Sequence, residues 1–451
     1  MNDTIAAVST ALGVGAIAIV RLSGVDSIKI VNKVFSGKNL EKVQSHTINY
    51  GHIVENGNII DEVLVAVMHA PKTATMENVV EINCHGGIAT TNKILELILL
   101  NGARLAEPGE FTKRAFLNGR INLVEAEAIM DLVNSKTEDA RKFSINHATG
   151  KFSEIIRNFR QNLLELLANI EVNIDYPEYE DIEVVTIEDI KSQVKNMRKS
   201  LQKIVKESEN GRLIKNGIKV ALVGRPNVGK SSLLNRMLEE EKAIVTDIAG
   251  TTRDTVEGSM MLDGILVNLV DTAGIRETND IVEKFGVDKS IKEMEIADLV
   301  ILILNNNETL NEDDLILLNK VKAYKYIIVI NKDDLDKNIN LEVFDNEHII
   351  YTNTNSYKGI ESLKNKIVEL FKLDEIKEKD YNYFANVRQI SLAKDALMTL
   401  NDVEKGIEQE VPVDMIGIDI KKIWNILGDI LGESYEEELI DQLFSQFCLG
   451  K

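Results

Sequence analysis

One stretch of the chain carries the residue types that hold a phosphate. Gly224-Arg225-Pro226-Asn227-Val228-Gly229-Lys230-Ser231 fits G-x-x-x-x-G-K-[ST]. The apolar run Ile218 to Val223 precedes it and a helical pattern from Ser232 follows, which is the strand-to-helix context the motif requires. Its glycines let backbone N–H groups over Asn227 to Ser232 close around a β-phosphate at a helix N-terminus. Lys230 would reach the β/γ oxygens, and the Ser231 hydroxyl would bind Mg²⁺.

Three further elements follow in the order that guanine-nucleotide hydrolysis requires. Ala249-Gly250-Thr251-Thr252-Arg253-Asp254 is a polar loop, and a threonine there can complete the Mg²⁺ shell when a γ-phosphate is present. Ile265 to Val270 predicts a buried strand ending at Asp271-Thr272-Ala273-Gly274. Asp271 would hold the metal through water, and the Gly274 N–H can meet the γ-phosphate. Tyr326 to Ile330 predicts another strand, ending at Asn331-Lys332-Asp333-Asp334, an N-K-x-D match. The Asp334 carboxylate accepts from guanine N1–H and the 2-amino group, a donor pair that adenine lacks. A buried polar group left unpaired by the wrong base costs about 1–3 kcal/mol. The four motifs together predict that GTP is bound and hydrolysed. Ile275 stands where a Ras-type hydrolase has the glutamine that orients water, so another group must place it. Arg253 and Arg276 are candidate arginine fingers, with solvated or structural roles as the alternative.

These motifs sit in a chain of 451 residues, long enough for about three domains. Residues 1–118 carry strand-like runs, such as Ala16 to Val20 and Val63 to Val67, with turn signals at Glu55-Asn56-Gly57-Asn58 and Cys84-His85-Gly86-Gly87. One helical segment, Thr91 to Leu100, completes a small α+β domain. Residues 119–216 and 376–451 read as helical, with Leu163, Leu164, Leu167, Ile170 and Ile174 forming one apolar stripe and Trp424, Ile426, Leu427, Ile430 and Leu431 another. Residues 217–375 alternate strands and helices. The expected fold is therefore multidomain α/β plus α: an N-terminal α+β domain, then a helical domain interrupted by an inserted Ras-like P-loop domain.

The composition sets limits on function. A net charge of −20 argues against a large basic face that grips nucleic acid. The two cysteines, Cys84 and Cys448, cannot build a disulfide framework or a zinc site by themselves. The start lacks a signal-peptide pattern, and apolar runs such as Ile327 to Ile330 fall far short of the ~20 residues of a membrane span. A cytoplasmic protein with no membrane segment is expected.

The ends of the chain resemble a known family. Asp3-Thr4-Ile5-Ala6-Ala7, Gly15 to Gly24, Glu81-Ile82-Asn83-Cys84-His85-Gly86-Gly87, Pro108 to Gly119 and the closing Phe447-Cys448-Leu449-Gly450-Lys451 are similar to the bacterial tRNA modification GTPase family MnmE (TrmE). The resemblance covers the whole length. It implies a K⁺-dependent GTPase whose homodimer brings two G domains together across their switch regions. It maps K⁺ ligands onto Asn227, Thr246, the Ile248 carbonyl and Thr251, Mg²⁺ ligands onto Ser231 and Thr252, and a water-orienting glutamate onto Glu283. Asp247 lies within the same nucleotide-binding stretch. The resemblance further implies that the N-terminal domain mediates dimerisation and binds 5-formyl- or 5,10-methylene-tetrahydrofolate through Arg21, Glu81, Arg120 and Lys451. Cys448 matches a cysteine implicated in the modification chemistry, with a structural thiol as the alternative.

By the same resemblance, the chain would work with an FAD- and NADH-using partner, MnmG (GidA), in a heterotetramer. Together they would place an aminomethyl or carboxymethylaminomethyl group on C5 of wobble uridine 34 in certain tRNAs. Some positions depart from the family pattern: Ala11-Leu12-Gly13 replaces Pro-Pro-Gly, Arg120 replaces a lysine, and Asn353-Thr354-Asn355 replaces the base-supporting Ser-Ala-Lys. The rival reading is a GTP-controlled ribosome-assembly switch of the Era or Der type, which would be expected to carry a basic RNA-binding module or a second G domain. No chemistry is expected of Cys84, and His85 reads as a turn residue.

Overall fold

Alternating apolar residues in the first hundred positions build a seven-stranded sheet in the order β3-β4-β5-β6-β2-β1-β7. The strands are β1 Ile5–Val8, β2 Gly15–Ser23, β3 Phe35–Gly37, β4 Thr47–Glu55, β5 Asn58–Met68, β6 Val79–Gly86 and β7 Arg104–Leu105, with helices α1 Ser27–Val34 and α2 Ile88–Leu100. The structure is a computed structural model and describes residues 3–175, 187–239, 258–271, 291–340, 348–373, 382–434, 437–447 and 450. Period-two alternation sends Ala18, Val20, Val63, Val65, Val67, Val80 and Ile82 to one face, where they bury against Val31, Ile94 and Ile98 of the two helices. The β4–β5 hairpin closes at Asn56 (φ 48°) and Gly57 (φ 82°), two successive left-handed residues whose twist matches that of the strands.

The described residues divide into two compact units, one comprising Met1–Asn134, Ile145–Gln202 and Val387–Lys451 and the other Ser135–Ser144 and Lys203–Asn386. In the first unit the sheet is followed by helices α3 Glu110–Leu117, α4 Leu123–Asn134, α6 Lys151–Asp175, Val387–Glu408, Val413–Leu431 and Glu437–Phe444; α5 Glu138–Ala148 and α7 Ile187–Asn216 each span the division. Arg160 of α6 lies over the Trp424 ring at 4.1 Å and donates to the Trp424 carbonyl, which fixes α6 against Val413–Leu431.

In the second unit the sheet runs β13-β12-β11-β8-β10-β9. Its strands are β8 Ile218–Val223, β9 Gly258–Leu262, β10 Ile265–Asp271, β11 Leu299–Asn305, β12 Tyr326–Asn331 and β13 Ile349–Tyr351. All pairs are parallel except β9–β10. Val220 and Leu222 face one apolar cluster and Ala221 and Val223 the other, so both sides of β8 are covered. This is an open α/β sheet with functional loops at the carboxyl ends of its strands. The fold class is that expected: an N-terminal α+β domain, a helical domain and an α/β G domain.

Some local expectations are corrected. Cys84, His85 and Gly86 lie in β6 and not in a turn, because they pair with β2; only Gly87 leaves the strand, as the N-cap of α2. On α6 the buried apolar positions are Phe152, Ile156, Leu163, Leu166 and Ile170, whereas Leu164 is 46% exposed; the face is set by Val413–Leu431, which packs on α6. The helix after the phosphate motif, α8 Lys230–Glu239, begins two residues before Ser232.

One buried ionic cluster ties the chain start to α3. Arg114, whose side chain is fully buried, donates to the Asp3 carbonyl (3.0 Å), Asp3 Oδ1 (2.9 Å), Glu110 Oε1 (3.0 Å) and both oxygens of Glu77 (3.2 Å). Burial pushes the Glu110 carboxyl up, but Arg104, the Glu107 N–H and Arg114 together hold it below its ordinary value near 4.5. Replacing Arg114 with Met is expected to cost about 3–5 kcal/mol in a denaturant titration at neutral pH, because Glu110 and Glu77 lose their buried partner. A carboxyl with a depressed folded pKa stabilises above its unfolded value and loses that contribution as pH falls through the folded one. The wild type should therefore lose stability below pH ~4.5 more steeply than Arg114→Met.

Candidate nucleotide site and the open face of the first sheet

The phosphate motif joins β8 to α8, and its backbone is one that side chains resist. Gly224 has φ 154°, and a Cβ there would lie 2.5 Å from the Ile303 carbonyl oxygen. Gly229 has φ 99°, and a Cβ there would overlap the Asn331 amide. Asn227 also takes φ 63°, a left-handed conformation that asparagine tolerates better than most residues. The loop exposes Asn227 and Ser231, while Val228 and Lys230 are buried. Backbone N–H groups at the start of α8, around Gly229 to Ser232, make an anion-binding helix N-terminus.

Lys230 Nζ donates to the carbonyls of Gly224 (2.8 Å) and Arg225 (2.9 Å), which holds the ammonium over the loop that would wrap a β-phosphate. Arg225 itself turns away to Asp314 (2.9 Å) and Glu308 (2.9 Å). Burial opposes its charge, but those two carboxylates hold it protonated, so it braces the motif from outside. The Asn305 amide and Arg225 keep Glu308 below the usual carboxylate range.

The base-reading motif closes on the phosphate motif through one side chain. Asn331, 1% exposed, donates through Nδ2 to the Val228 carbonyl (3.0 Å) and accepts from the Thr352 hydroxyl (3.2 Å). Asp333 N–H donates to the Thr352 carbonyl (3.2 Å), and Lys332 takes φ 61°. Asp334 is exposed at the carboxyl end of β12, open to a base from solvent. Thr352 was not singled out in the sequence, and no local pattern marks it; only the β12–β13 pairing brings it to Asn331.

Asp271 ends β10 one strand from β8, and only its backbone is described. Thr246, Asp247, Ile248, Ala249, Gly250, Thr251, Thr252, Thr272, Ala273, Gly274 and Glu283 lie outside the described residues, as do Arg253, Ile275 and Arg276. Among the described residues no group of three His, Cys, Asp or Glu side chains could hold a metal, and no helix is long and apolar enough to cross a membrane.

On the first sheet the register puts Arg21 opposite Glu81, and they pair at 2.8 Å with about a quarter of each side chain exposed. The guanidinium also lies 3.5 Å from the Gly450 carbonyl and 5.8 Å from the centre of the Phe111 ring. Ser9 Oγ donates to that same Gly450 carbonyl (3.0 Å), so the last described residue sits beside the pair. Lys451 and Cys448 lie outside the described residues. Arg120 donates to the Ala74 carbonyl (2.8 Å). Cys84 is buried and donates to the Ala18 carbonyl, and burial pushes its thiol up, away from the reactive thiolate. His85 is exposed and pairs with Asp61 (2.7 Å), whose hydrogen bond pushes the imidazole up.

A family model for the MnmE helical domain matches residues 123–448, and one for the GTP-binding protein TrmE N-terminus matches residues 4–120. The tRNA modification GTPase MnmE of Streptococcus thermophilus is 52% identical over 451 residues, covering 100% of this chain and 98% of that protein. The protein of the same name from Bacillus mycoides is 51% identical over 455 residues, covering 100% and 99%. Among solved structures, the G domain of the T. maritima FeoB iron transporter is 32% identical over 34% of this chain and 97% of that one, with a TM-score of 0.24. With its phosphate and base-reading motifs assembled at the strand ends of one sheet and two family models spanning nearly its whole length, the chain belongs to the MnmE family of tRNA modification GTPases.

Proposed function

We propose that this GTPase drives modification of wobble uridine 34 at C5, adding a carboxymethylaminomethyl or aminomethyl group with a one-carbon unit from a tetrahydrofolate. The organisation behind this reading is an N-terminal domain of residues 1–118, a helical domain of 119–216 and 376–451, and a G domain of 217–375. The observation that carries it is the Arg21–Glu81 pair beside the Gly450 carbonyl. A basic group and a carboxylate side by side suit a folate, whose glutamate tail seeks a cation and whose pterin edge offers N–H donors. When bound, 5-formyl- or 5,10-methylene-tetrahydrofolate supplies the one-carbon unit. Arg21 and Glu81 orient it, and Lys451 and Arg120 add charge around the tail.

The same sheet face supports a homodimer. Strand alternation puts Ile17, Ile48, Tyr50 and Leu64 on the side that carries Arg21 and Glu81, and all four are exposed, from 47% to 69%. An apolar patch of this kind around a ligand pair marks an association surface. An FAD- and NADH-using MnmG partner would supply the redox step and much of the tRNA grip, in keeping with the net charge of −20 here.

For hydrolysis, the Ser231 hydroxyl and Thr252 are hard oxygen donors suited to Mg²⁺. The exposed Asn227 amide is the right donor type for K⁺, joined by Thr246, the Ile248 carbonyl and Thr251. A bound monovalent cation would supply the positive charge that other GTPases take from an arginine. Lys230 stabilises charge on the β/γ oxygens, Glu283 orients the water and Asp334 selects guanine. Cys448 is assigned to the modification step on the tRNA.

Nucleoside analysis of tRNA from a deletion strain tests the function directly: the modified wobble uridine should disappear and return with the wild-type gene. Retention of the modified base would exclude the reading in favour of a ribosome-assembly switch. GTP turnover in K⁺ should exceed that in Na⁺ by at least about tenfold in steady-state assays, since a lost transition-state charge costs this much or more. Arg21→Ala should weaken tetrahydrofolate binding by about tenfold or more in calorimetry while leaving GDP affinity unchanged.

A further inference from the structure

The loop that follows β13, residues 353–358, departs from the family pattern, and the structure holds it in an unusual way. Tyr357 takes φ 59°, a left-handed conformation that is strained for a bulky side chain. Gly359 beyond it has φ 82° and leaves no room for a Cβ against the Tyr351 carbonyl. An Asx turn from Asn353 Oδ1 to the Asn355 N–H (2.8 Å), a bridge between Asn353 and Lys358, and an ion pair from Lys358 to Asp333 close the loop on itself and on the N-K-x-D segment.

One side chain from outside completes the arrangement. Arg236, in the second turn of α8, donates through Nε to the Thr354 carbonyl (2.7 Å). Its guanidinium lies 4.3 Å from the centre of the Tyr357 ring and also bonds the Tyr357 hydroxyl and Glu239. Glu239 accepts from that hydroxyl as well (3.0 Å). Planar stacking plus a fork of donors is what arginine offers and lysine does not. The helix that begins with Lys230 at the phosphates thus ends in a clasp on the loop beside Asp334, since β12 and β13 are parallel neighbours.

We propose that Arg236, stacked on Tyr357, is a positioning residue for nucleobase selectivity. It fixes the Thr354 backbone so that the amides of loop 353–358 meet the 6-oxygen of the guanine whose N1–H and 2-amino group go to Asp334. The inference rests on Asp334 reading guanine.

The test uses the full chain and competition against fluorescent GDP. Competitors are GDP, IDP, ADP and 2-aminopurine riboside diphosphate, which keeps the 2-amino group but has neither the 6-oxygen nor the N1–H. Arg236→Ala and Arg236→Lys should each weaken GDP and IDP by about tenfold, the factor for losing one hydrogen bond to the 6-oxygen, and leave 2-aminopurine riboside diphosphate unchanged. Tyr357→Phe, which keeps the ring and removes only the hydroxyl, should give a smaller loss with the same pattern and carries the test if the arginine variants fail to fold. Unchanged GDP affinity, or equal losses for all nucleotides, would overturn the clasp as a selectivity device. A wild type that binds GDP no better than ADP would overturn the Asp334 reading beneath it, and the clasp with it.

Discussion

The buried amide of Asn331 is the interaction on which the nucleotide site depends. Its donation to the Val228 carbonyl joins the base-reading loop to the phosphate loop, and its acceptance from Thr352 joins both to the end of β13. A side chain 1% exposed has no water to fall back on, so these hydrogen bonds are costly to leave unmade. The same amide sits where a Cβ on Gly229 would be, which makes the glycine of the phosphate motif a packing requirement as well as a conformational one. One polar side chain therefore sets the spacing between the phosphate-loop motif and the N-K-x-D motif.

The two sheets solve opposite problems. The mostly parallel sheet buries both faces and presents its motifs at the carboxyl ends of its strands, with Gly224 and Asp271 at the ends of the neighbouring β8 and β10 and Asn331 two strands away on β12. The first sheet, antiparallel except for β1–β7, buries one face against its helices and carries the Arg21–Glu81 pair on the other. Its period-two alternation is what places Arg21 and Glu81 on the open side while Val20 and Ile82, one residue away on the same strands, enter the core. A one-residue slip in register would exchange the two sets.

How much was legible in the sequence varies with the range of the interaction. The strands at Ile218–Val223, Ile265–Asp271 and Tyr326–Asn331 were readable because a run of β-branched and apolar residues ending in a turn motif is a local signal. The hairpin at Asn56-Gly57 was readable for the same reason. At Cys84 to Gly86 two glycines after a histidine look like a turn, whereas pairing with β2 extends the strand through Gly86. Leu164 misled because the spacings of three and four fit more than one helix face, and only the neighbouring helix selects one.

Local sequence patterns were enough to read a phosphate-loop motif, an N-K-x-D motif and a family signature at both ends. These are short, contiguous patterns whose meaning comes from backbone conformation and side-chain type. Tertiary structure decided which distant residues complete them. Thr352 reaches Asn331, Ser9 reaches Gly450 and Arg236 reaches Thr354, across separations of 21, 441 and 118 residues. No local pattern encodes such pairs, because each exists only once strand pairing and helix packing have brought the two segments together.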